Sequence, residues 1–571
     1  MARYFDEHQK RDVRELGGAW RFMTDPKKVG EEQGWNKALP TKDTVTVPSM
    51  WNNEMGLLGY EGAAWYEKTF YTRGGCLRLH FGAVMTKADV WFDGEYLGSH
   101  YGGFCEFSFI VRDVTEGEHV LTVRADNSFD EHSIPQKQVD WYHYGGINRP
   151  VTVETLRGVT TLYNRMEYEL NDTLDTAECA VVLELYNAES ETVTAPVTVT
   201  LGGNKVWCGE VTLAAGETRE IKTETFTENN IALWDMETPN LYDLIITTPT
   251  DDLRDRVGFR KIAVEDGKVT LNGRAVEFRG VNRHEEHPDW GFAFPEKLMK
   301  RDLDIIIGDL GCNTIRGSHY PNSRTFVDML DARGVLFWSE IPIWGCGFSQ
   351  ETLGDPIVVE RGLEMHREML HYYYNHPSIV IWGLHNEIKT ETPEAYAMTE
   401  KYYKYVKANG GNRLVTYASN HGTEDICFEF CDIICLNQYH GWYGGTIESW
   451  ASKMDSFREY REKLGFSHKP VIYSEFGGAG LYGHHTFDDV HWTEDYQAKL
   501  LSHCLKLFHE DPMVVGYYVW QFCDMRTCIQ MGLGRARGFN NKGIVNEYRK
   551  PKAAYHAIKA LNHQFAEEDQ K

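Results

Sequence analysis

Between residues 20 and 155, apolar and polar positions alternate in short runs, LRLHFGAV, ADVWFDGEYLGSH, FSFIVRDV and HVLTVRADN, each broken by Gly or Asp. Neighbouring side chains of a strand face opposite sides, so this period of two predicts the half-buried strands of a β-sandwich. Asp93-Gly94 in WFDGEYLG marks a two-residue hairpin turn, because both positions of such a turn need positive φ. A second all-β stretch over residues 160–260 carries CAVVLELYN, TAPVTVTL, EVTLAAGET and LYDLIITT. It reads as a compact immunoglobulin-like sandwich.

After Lys261 the pattern changes. Nearly continuous apolar runs now alternate with longer amphipathic ones: VEFRGVNRH, PEKLMKRDLDIIIGDLG, NTIRGSHYP, SRTFVDMLDARG and VLFWSEIP. Strands apolar on both faces, separated by helices, indicate a parallel sheet covered on its outside. IVIWGLHNE, LVTYASN, IICLNQYH, PVIYSEFG and VVGYYVWQF continue the series, and the eight strands predict a (β/α)8 TIM barrel. Polar residues gather where the apolar runs stop: His284, His319, Glu340, Asn386, Glu387, Asn437 and Glu475. Those strand ends form the mouth of such a barrel, where its chemistry is done.

Glu387 ends the fourth strand and Glu475 the seventh, on opposite sides of the mouth, so both can face one ligand. Two convergent carboxylates on a sugar-sized pocket suit glycoside hydrolysis, in which one group donates a proton and the other is an anion. Glu340, ending the third strand, is the competing carboxylate, and a supporting role is expected for it, such as holding a neighbouring Arg. Glu285 and Glu286 beside His284 make only a weak metal-ligand pattern. Cys427, Cys431 and Cys435 recur every fourth residue, but Cys435 sits in a strand-like run, which argues against one helical metal face. No metal or cofactor is expected.

Composition narrows the class further. With 59 Lys and Arg against 84 Asp and Glu, the formal charge of −25 argues against a nucleic-acid partner, which needs clustered cations. The first residues, MARYFDEHQKRDVREL, are charged, and nowhere do about 18 apolar residues run together, so neither a secretory leader nor a membrane span is expected. The 12 Cys are scattered without CxxC pairs, which fits a reducing, cytoplasmic location.

GVNRHEEHP, NTIRGSHYP, NHPSIVIWGLHNE and VIYSEFGG resemble glycoside hydrolase family 2, the family of β-galactosidases, β-mannosidases and β-glucuronidases. LGGAWRF, VPSMW, AWYEKTF and WFDGEYLG are similar to its jelly-roll sugar-binding domain, and LWDMETPNLYDL with VGFRK to the close of its immunoglobulin-like domain. The resemblance covers nearly the whole chain. It implies a jelly roll over residues 1–158, an immunoglobulin-like sandwich over 159–261 and the catalytic barrel over 262–571. It also implies an exo-acting retaining mechanism, with Glu387 as acid/base and Glu475 as nucleophile, and a homo-oligomer, tetramer or dimer.

Within the family, ICLNQYHGWYGG, SEFGGAGLYGHH and FNNKGIVNEYRKPKAAYHAI look like β-glucuronidase segments, the last carrying an Asn-x-Lys uronate motif at Asn540 and Lys542. A buried sugar carboxylate needs a cation and donors, and Lys542 with the Asn540 amide would supply them. The expected partner is therefore a small β-uronide. The resemblance also points to Asp140 for the sugar hydroxyls and to His284 and Asn386 for the glycone. It points to Asn437, Tyr439 and Tyr443 for sugar contact and nucleophile orientation, and to Trp520 as a floor for the pyranose. Arg535 and Arg537 both lie near the family's Arg position, and neither spacing matches cleanly.

His385, Gln438 and His440 depart from the β-glucuronidase pattern. An imidazole beside the acid/base leaves β-galacturonide open as the substrate, with a neutral β-galactoside the lesser alternative. The stretch from Trp344 to Asn375 is short and without a large apolar insertion, so an open aglycone side is expected.

Overall fold

The computed structural model describes residues 3–569. In the first sandwich a four-stranded sheet, ordered Asp12–Glu15, Val151–Leu156, Gly75–Phe81, Phe107–Val114, packs on a six-stranded one, ordered Thr44–Val47, Gly18–Asp25, Ala63–Thr72, Gly117–Asp126, Lys87–Phe92, Glu95–Tyr101. Leu77, Leu79, Phe81 and Val153 of one sheet meet Trp20, Tyr66, Val90 and Leu121 of the other in a common core. The expected hairpin is present: Phe92 pairs with Glu95, and Asp93 and Gly94 both have positive φ.

The second sandwich packs the sheet of Val159–Leu170, Thr176–Asn187 and Thr218–Lys222 on that of Asn204–Leu213, Val193–Leu201, Tyr242–Thr247 and Asp252–Val257. It is tied to the barrel by Arg260, which is 1% exposed and donates to the carbonyls of Pro377, Asn412 and Ile379. The buried guanidinium directs its fork of donors to backbone carbonyls at or just before the starts of strands in the neighbouring barrel.

Eight parallel strands close the barrel in chain order: Phe278–Asn282, Thr314–Gly317, Leu336–Glu340, Ile379–Asn386, Leu414–Ser419, Ile434–Asn437, Val471–Glu475 and Val514–Val519. We number them one to eight. All eight runs read in the sequence are these strands, and every residue of strand four is buried. The helices outside start where short polar side chains cap them: Asp355 accepts from Ile357 N, Thr392 from Ala395 N and Thr493 from Tyr496 N. At the bottom, Ile262, Val269 and Leu271 of a hairpin plug the barrel against Phe278, Trp338 and Tyr518. The plug leaves the opposite end as the open mouth.

One connection departs from the repeat. Between strands five and six the chain makes two 3₁₀ turns, Gly422–Glu424 and Phe428–Phe430, where an α-helix is expected. Asp425 pins this segment by accepting from Tyr417 Oη, Ser419 Oγ and Cys427 N. Cys427, Phe428, Phe430 and Cys431 fill the space a helix would cover. Among the described residues no helix is long and apolar enough to cross a membrane.

Candidate active site

At the end of strand four the register against strand five slips between Gly383 and Asn386. Such an irregularity re-aims the next side chain. Glu387 then takes φ 52, a left-handed conformation that costs a non-glycine residue roughly 1–3 kcal/mol and is held only where the surroundings dictate it. Here its N–H donates to Ala418 O at 2.8 Å. Its carbonyl also packs so closely on Gly345 that a Cβ there would lie 1.4 Å from the oxygen. Register also slips beside Asn437, opposite Glu475 on strand seven.

Arg316, on strand two and fully buried, sits at the centre of the mouth. It forms a fork with Glu340 (Nε to Oε2 3.0 Å, Nη2 to Oε1 2.9 Å), donates to Glu475 Oε1 at 2.9 Å, and donates to Asn386 Oδ1 at 2.7 Å and Asn282 Oδ1 at 3.1 Å. Tyr439 Oη donates to the second oxygen of Glu475 at 2.7 Å. Asn437 Nδ2 donates to Glu387 Oε1 at 2.8 Å and to Asn386 Oδ1 at 3.0 Å, while its own Oδ1 accepts from Ser474 Oγ at 2.7 Å. Glu340 therefore does hold a neighbouring Arg, as expected.

These contacts separate the two carboxylates. Burial, then the negative charge of Glu475, raises Glu387 to about 8. Burial raises Glu475 to about 7, opposed by Arg316 and by the Tyr439 hydroxyl. Of the two, Glu475 gives up its proton first, and Glu387 keeps one that it can donate.

The floor is aromatic. Trp520 stacks on His319, with centroids 5.1 Å apart, and meets His284 edge-on at 5.6 Å. Burial holds both imidazoles well below the usual range, hence neutral. His319 Nδ1 faces Glu340 Oε1 at 2.7 Å, and His284 Nδ1 faces Tyr320 Oη at 3.2 Å. Trp141 of the first sandwich packs against both histidines and Trp344.

The other wall is built from distant pieces. Asp140, from the first sandwich, accepts from Thr527 Oγ1 at 2.9 Å, Asn540 Nδ2 at 2.8 Å and Arg535. Arg535 thus belongs to the mouth, while Arg537 turns away to Glu547 at 2.7 Å. The Asn540 amide donates one hydrogen to Asp140, which leaves its second, and its Oδ1 accepts from Lys542 N at 3.1 Å. Lys542 is 1% exposed. Its Nζ donates to Tyr443 Oη at 2.7 Å and lies 5.5 Å from the Tyr439 ring. Among the described residues it forms no ion pair. Tyr439 thus spans the gap between Lys542 and Glu475, and Tyr443, 64% exposed, forms the rim.

Several sequence departures turn out to face elsewhere. His385 Nε2 contacts Thr399 Oγ1 at 2.8 Å in the helix layer, and the His440 ring packs on Trp450. Neither imidazole lies against the carboxylate pair. Glu285 pairs with Arg149 at 3.1 Å and Glu286 accepts from Tyr144 Oη at 2.6 Å, so both join the first sandwich to the barrel. A buried group with metal-like spacing, Asp328, Asp331 and His376, is occupied by Arg3, which forks onto Asp328, and by Ser378 N on Asp331. The sequence places His319 at the mouth without a role, and it does not single out Arg316. For Arg316 the available signal was a cation inside the short strand-like run TIRG, which a barrel interior tolerates only when it is paired.

A family model described as glycosyl hydrolases family 2, TIM barrel domain, matches residues 262–567, and a second, glycosyl hydrolases family 2, matches residues 164–260. The chain belongs to glycosyl hydrolase family 2. It is an enzyme that cleaves glycosidic bonds. Among family members it is similar to a β-glucuronidase of Paenibacillus borealis, 27% identical and covering 96% of both chains. A crystal structure of a family 2 β-galacturonidase from Eisenbergiella tayi bound to galacturonate superposes with a TM-score of 0.91 at 32% identity, covering 99% of each chain. That of Ruminococcus gnavus β-glucuronidase gives 0.86 at 27% identity, covering 98% of this chain and 99% of that one.

Proposed function

We propose that this enzyme is a retaining, exo-acting β-glucuronidase that releases glucuronate from β-D-glucuronides. The observation that carries the reading is Lys542, a buried ammonium with a tyrosine hydroxyl but no carboxylate beside it, one tyrosine away from Glu475. A buried cation without a counter-ion is costly. A sugar carboxylate 4 Å away would gain about 4 kcal/mol at an effective dielectric of 20, before desolvation.

In the first step Glu475 attacks the anomeric carbon and forms a glycosyl ester, while Glu387 passes its proton to the departing aglycone oxygen. In the second, Glu387 takes a proton from water, the resulting hydroxide displaces Glu475 from the sugar, and both carboxyl groups return to their starting states. Asp140, His284, Asn386, Asn437 and Trp520 would hold the glycone, with Tyr439 orienting Glu475. A cytoplasmic location and a homo-oligomeric state, dimer or tetramer, belong to the same proposal.

β-Galacturonides are the second reading, favoured by the higher identity to the Eisenbergiella tayi enzyme. Four chromogenic β-glycosides (glucuronide, galacturonide, galactoside and glucoside) assayed with the native enzyme and Lys542→Met test both readings. The glucuronide should be the best substrate, and Lys542→Met should lower its kcat/KM by roughly 100-fold or more while affecting the neutral glycosides far less. Equal losses on charged and neutral sugars would remove the carboxylate-reader argument.

A further inference from the structure

Resting on the uronide reading, we propose that Gln497, Lys552 and Asp524 are positioning residues that lock the Lys542 loop to the loop following Glu475. Gln497 lies on the helix Glu494–Glu510 and is fully buried. Its Nε2 donates to three carbonyls: Gly478 O at 2.9 Å, Gly543 O at 3.1 Å and Lys542 O at 3.3 Å. Gly478 is three residues beyond Glu475, so one amide group joins the segment behind the nucleophile to the residue that reads the sugar acid.

Lys552 repeats the device two residues further along the loop after Glu475 and just before Lys542 on the other loop. Also fully buried, it donates from Nζ to Gly480 O at 2.6 Å, Asn541 O at 3.1 Å and Asp524 Oδ1 at 2.8 Å. The same Asp524 oxygen accepts from Gly543 N at 2.9 Å. Gly480 N in turn donates to Asn541 O at 3.0 Å. Gly543 is packed too tightly for any side chain, since a Cβ would fall 2.1 Å from Asp524 N.

None of the three side chains is on a strand end or was singled out by the sequence. Apart from the Lys552–Asp524 ion pair, their bonds go to backbone carbonyls and one backbone N–H at or beside the reader, so they act through Lys542 rather than on the sugar. Lys542 lies outside the barrel ladder, with Gln521 N donating to its carbonyl at 3.0 Å, and a displacement of about 1 Å costs on the order of 100-fold in a positioned reaction.

The test is a double-mutant cycle on Gln497→Met and Lys542→Met, with kcat and KM measured on a chromogenic glucuronide and a neutral glycoside. Gln497→Met keeps the volume, and the amide oxygen it discards has no partner. The expected result is a 10- to 100-fold loss of kcat/KM on the glucuronide, a smaller loss on the neutral glycoside, and little further loss when Gln497→Met is added to Lys542→Met. Full additivity of the two losses, or equal loss on both glycosides, would overturn the proposal. If Lys542→Met itself costs nothing on the glucuronide, it is the uronide reading that fails. Where thermal unfolding shows that Gln497→Met does not fold, Asp524→Asn takes its place in the cycle under the same criteria.

Discussion

The two walls of the mouth are built on different principles. The carboxylate wall stands on barrel strands: Glu475, Asn437, Glu340, Arg316 and Asn386 are placed by the ladder of parallel pairs, and Arg316 alone touches Glu340, Glu475 and Asn386. The reader wall stands outside the barrel: Asn540 ends a two-residue strand, Phe539–Asn540, paired with Met525–Arg526, Lys542 lies on the loop after it, and Asp140 comes from another domain, 400 residues from the Asn540 it bonds. A strand end is held by the whole sheet. A loop has fewer such bonds, and here Asp140, Gln497 and Lys552 add to the backbone bonds of Gly480 N on Asn541 O and Gln521 N on Lys542 O.

The largest effect should follow from breaking the strand wall. Glu475→Ala removes the proposed nucleophile, and kcat on any accepted glycoside should fall by about 10⁴-fold or more. Arg316 keeps its fork with Glu340, so the variant should still unfold at nearly the native temperature. Near-native turnover would mean that another group attacks the sugar.

Glu387→Gln comes next, with a loss of roughly 100- to 10,000-fold. The pH profile sharpens it. Glu475 must be ionised and Glu387 protonated, so kcat/KM of the native enzyme should fall in acid as Glu475 gains a proton near pH 7 and in alkali as Glu387 loses one near pH 8. Gln cannot ionise, and the alkaline limb should vanish in the variant. A limb that survives belongs to a different group.

The reader wall should yield more gently. Asp140→Asn keeps a similar shape but drops the charge facing Arg535, and a loss of about tenfold in kcat/KM is expected for one weakened charged contact. The loss should be greater for uronides than for neutral glycosides, because Asp140 also anchors Asn540 beside Lys542. Titration with glucuronate as a product inhibitor would check this, and unchanged inhibition would show that the reader loop does not depend on the first sandwich.

Much of this architecture was legible because a barrel repeats itself. Each strand must be apolar on both faces and each helix on one, so eight alternations could be counted. The polar residue that stops each apolar run is then at the mouth by construction. The connection between strands five and six broke the pattern because Asp425 gathers three donors and makes a helix unnecessary. Arg316 was overlooked although it lay inside a quoted segment, since its importance comes from whom it touches. His385 attracted attention for its position next to Asn386, yet alternate residues of a strand point to opposite faces, and it faces the helices.

The sequence by itself determined the two sandwiches and the barrel, and it singled out Glu387, Glu475 and Lys542 as candidates by residue type and position. These are matters of residue type and of period, which survive without coordinates. Only the tertiary structure decided that Arg535 and not Arg537 meets Asp140, that Asn540 serves the protein's own aspartate, and that Gln497 and Lys552 bind two loops into one. Such choices depend on side-chain direction and on contacts between residues far apart in the chain, and a local pattern of polar and apolar positions carries neither.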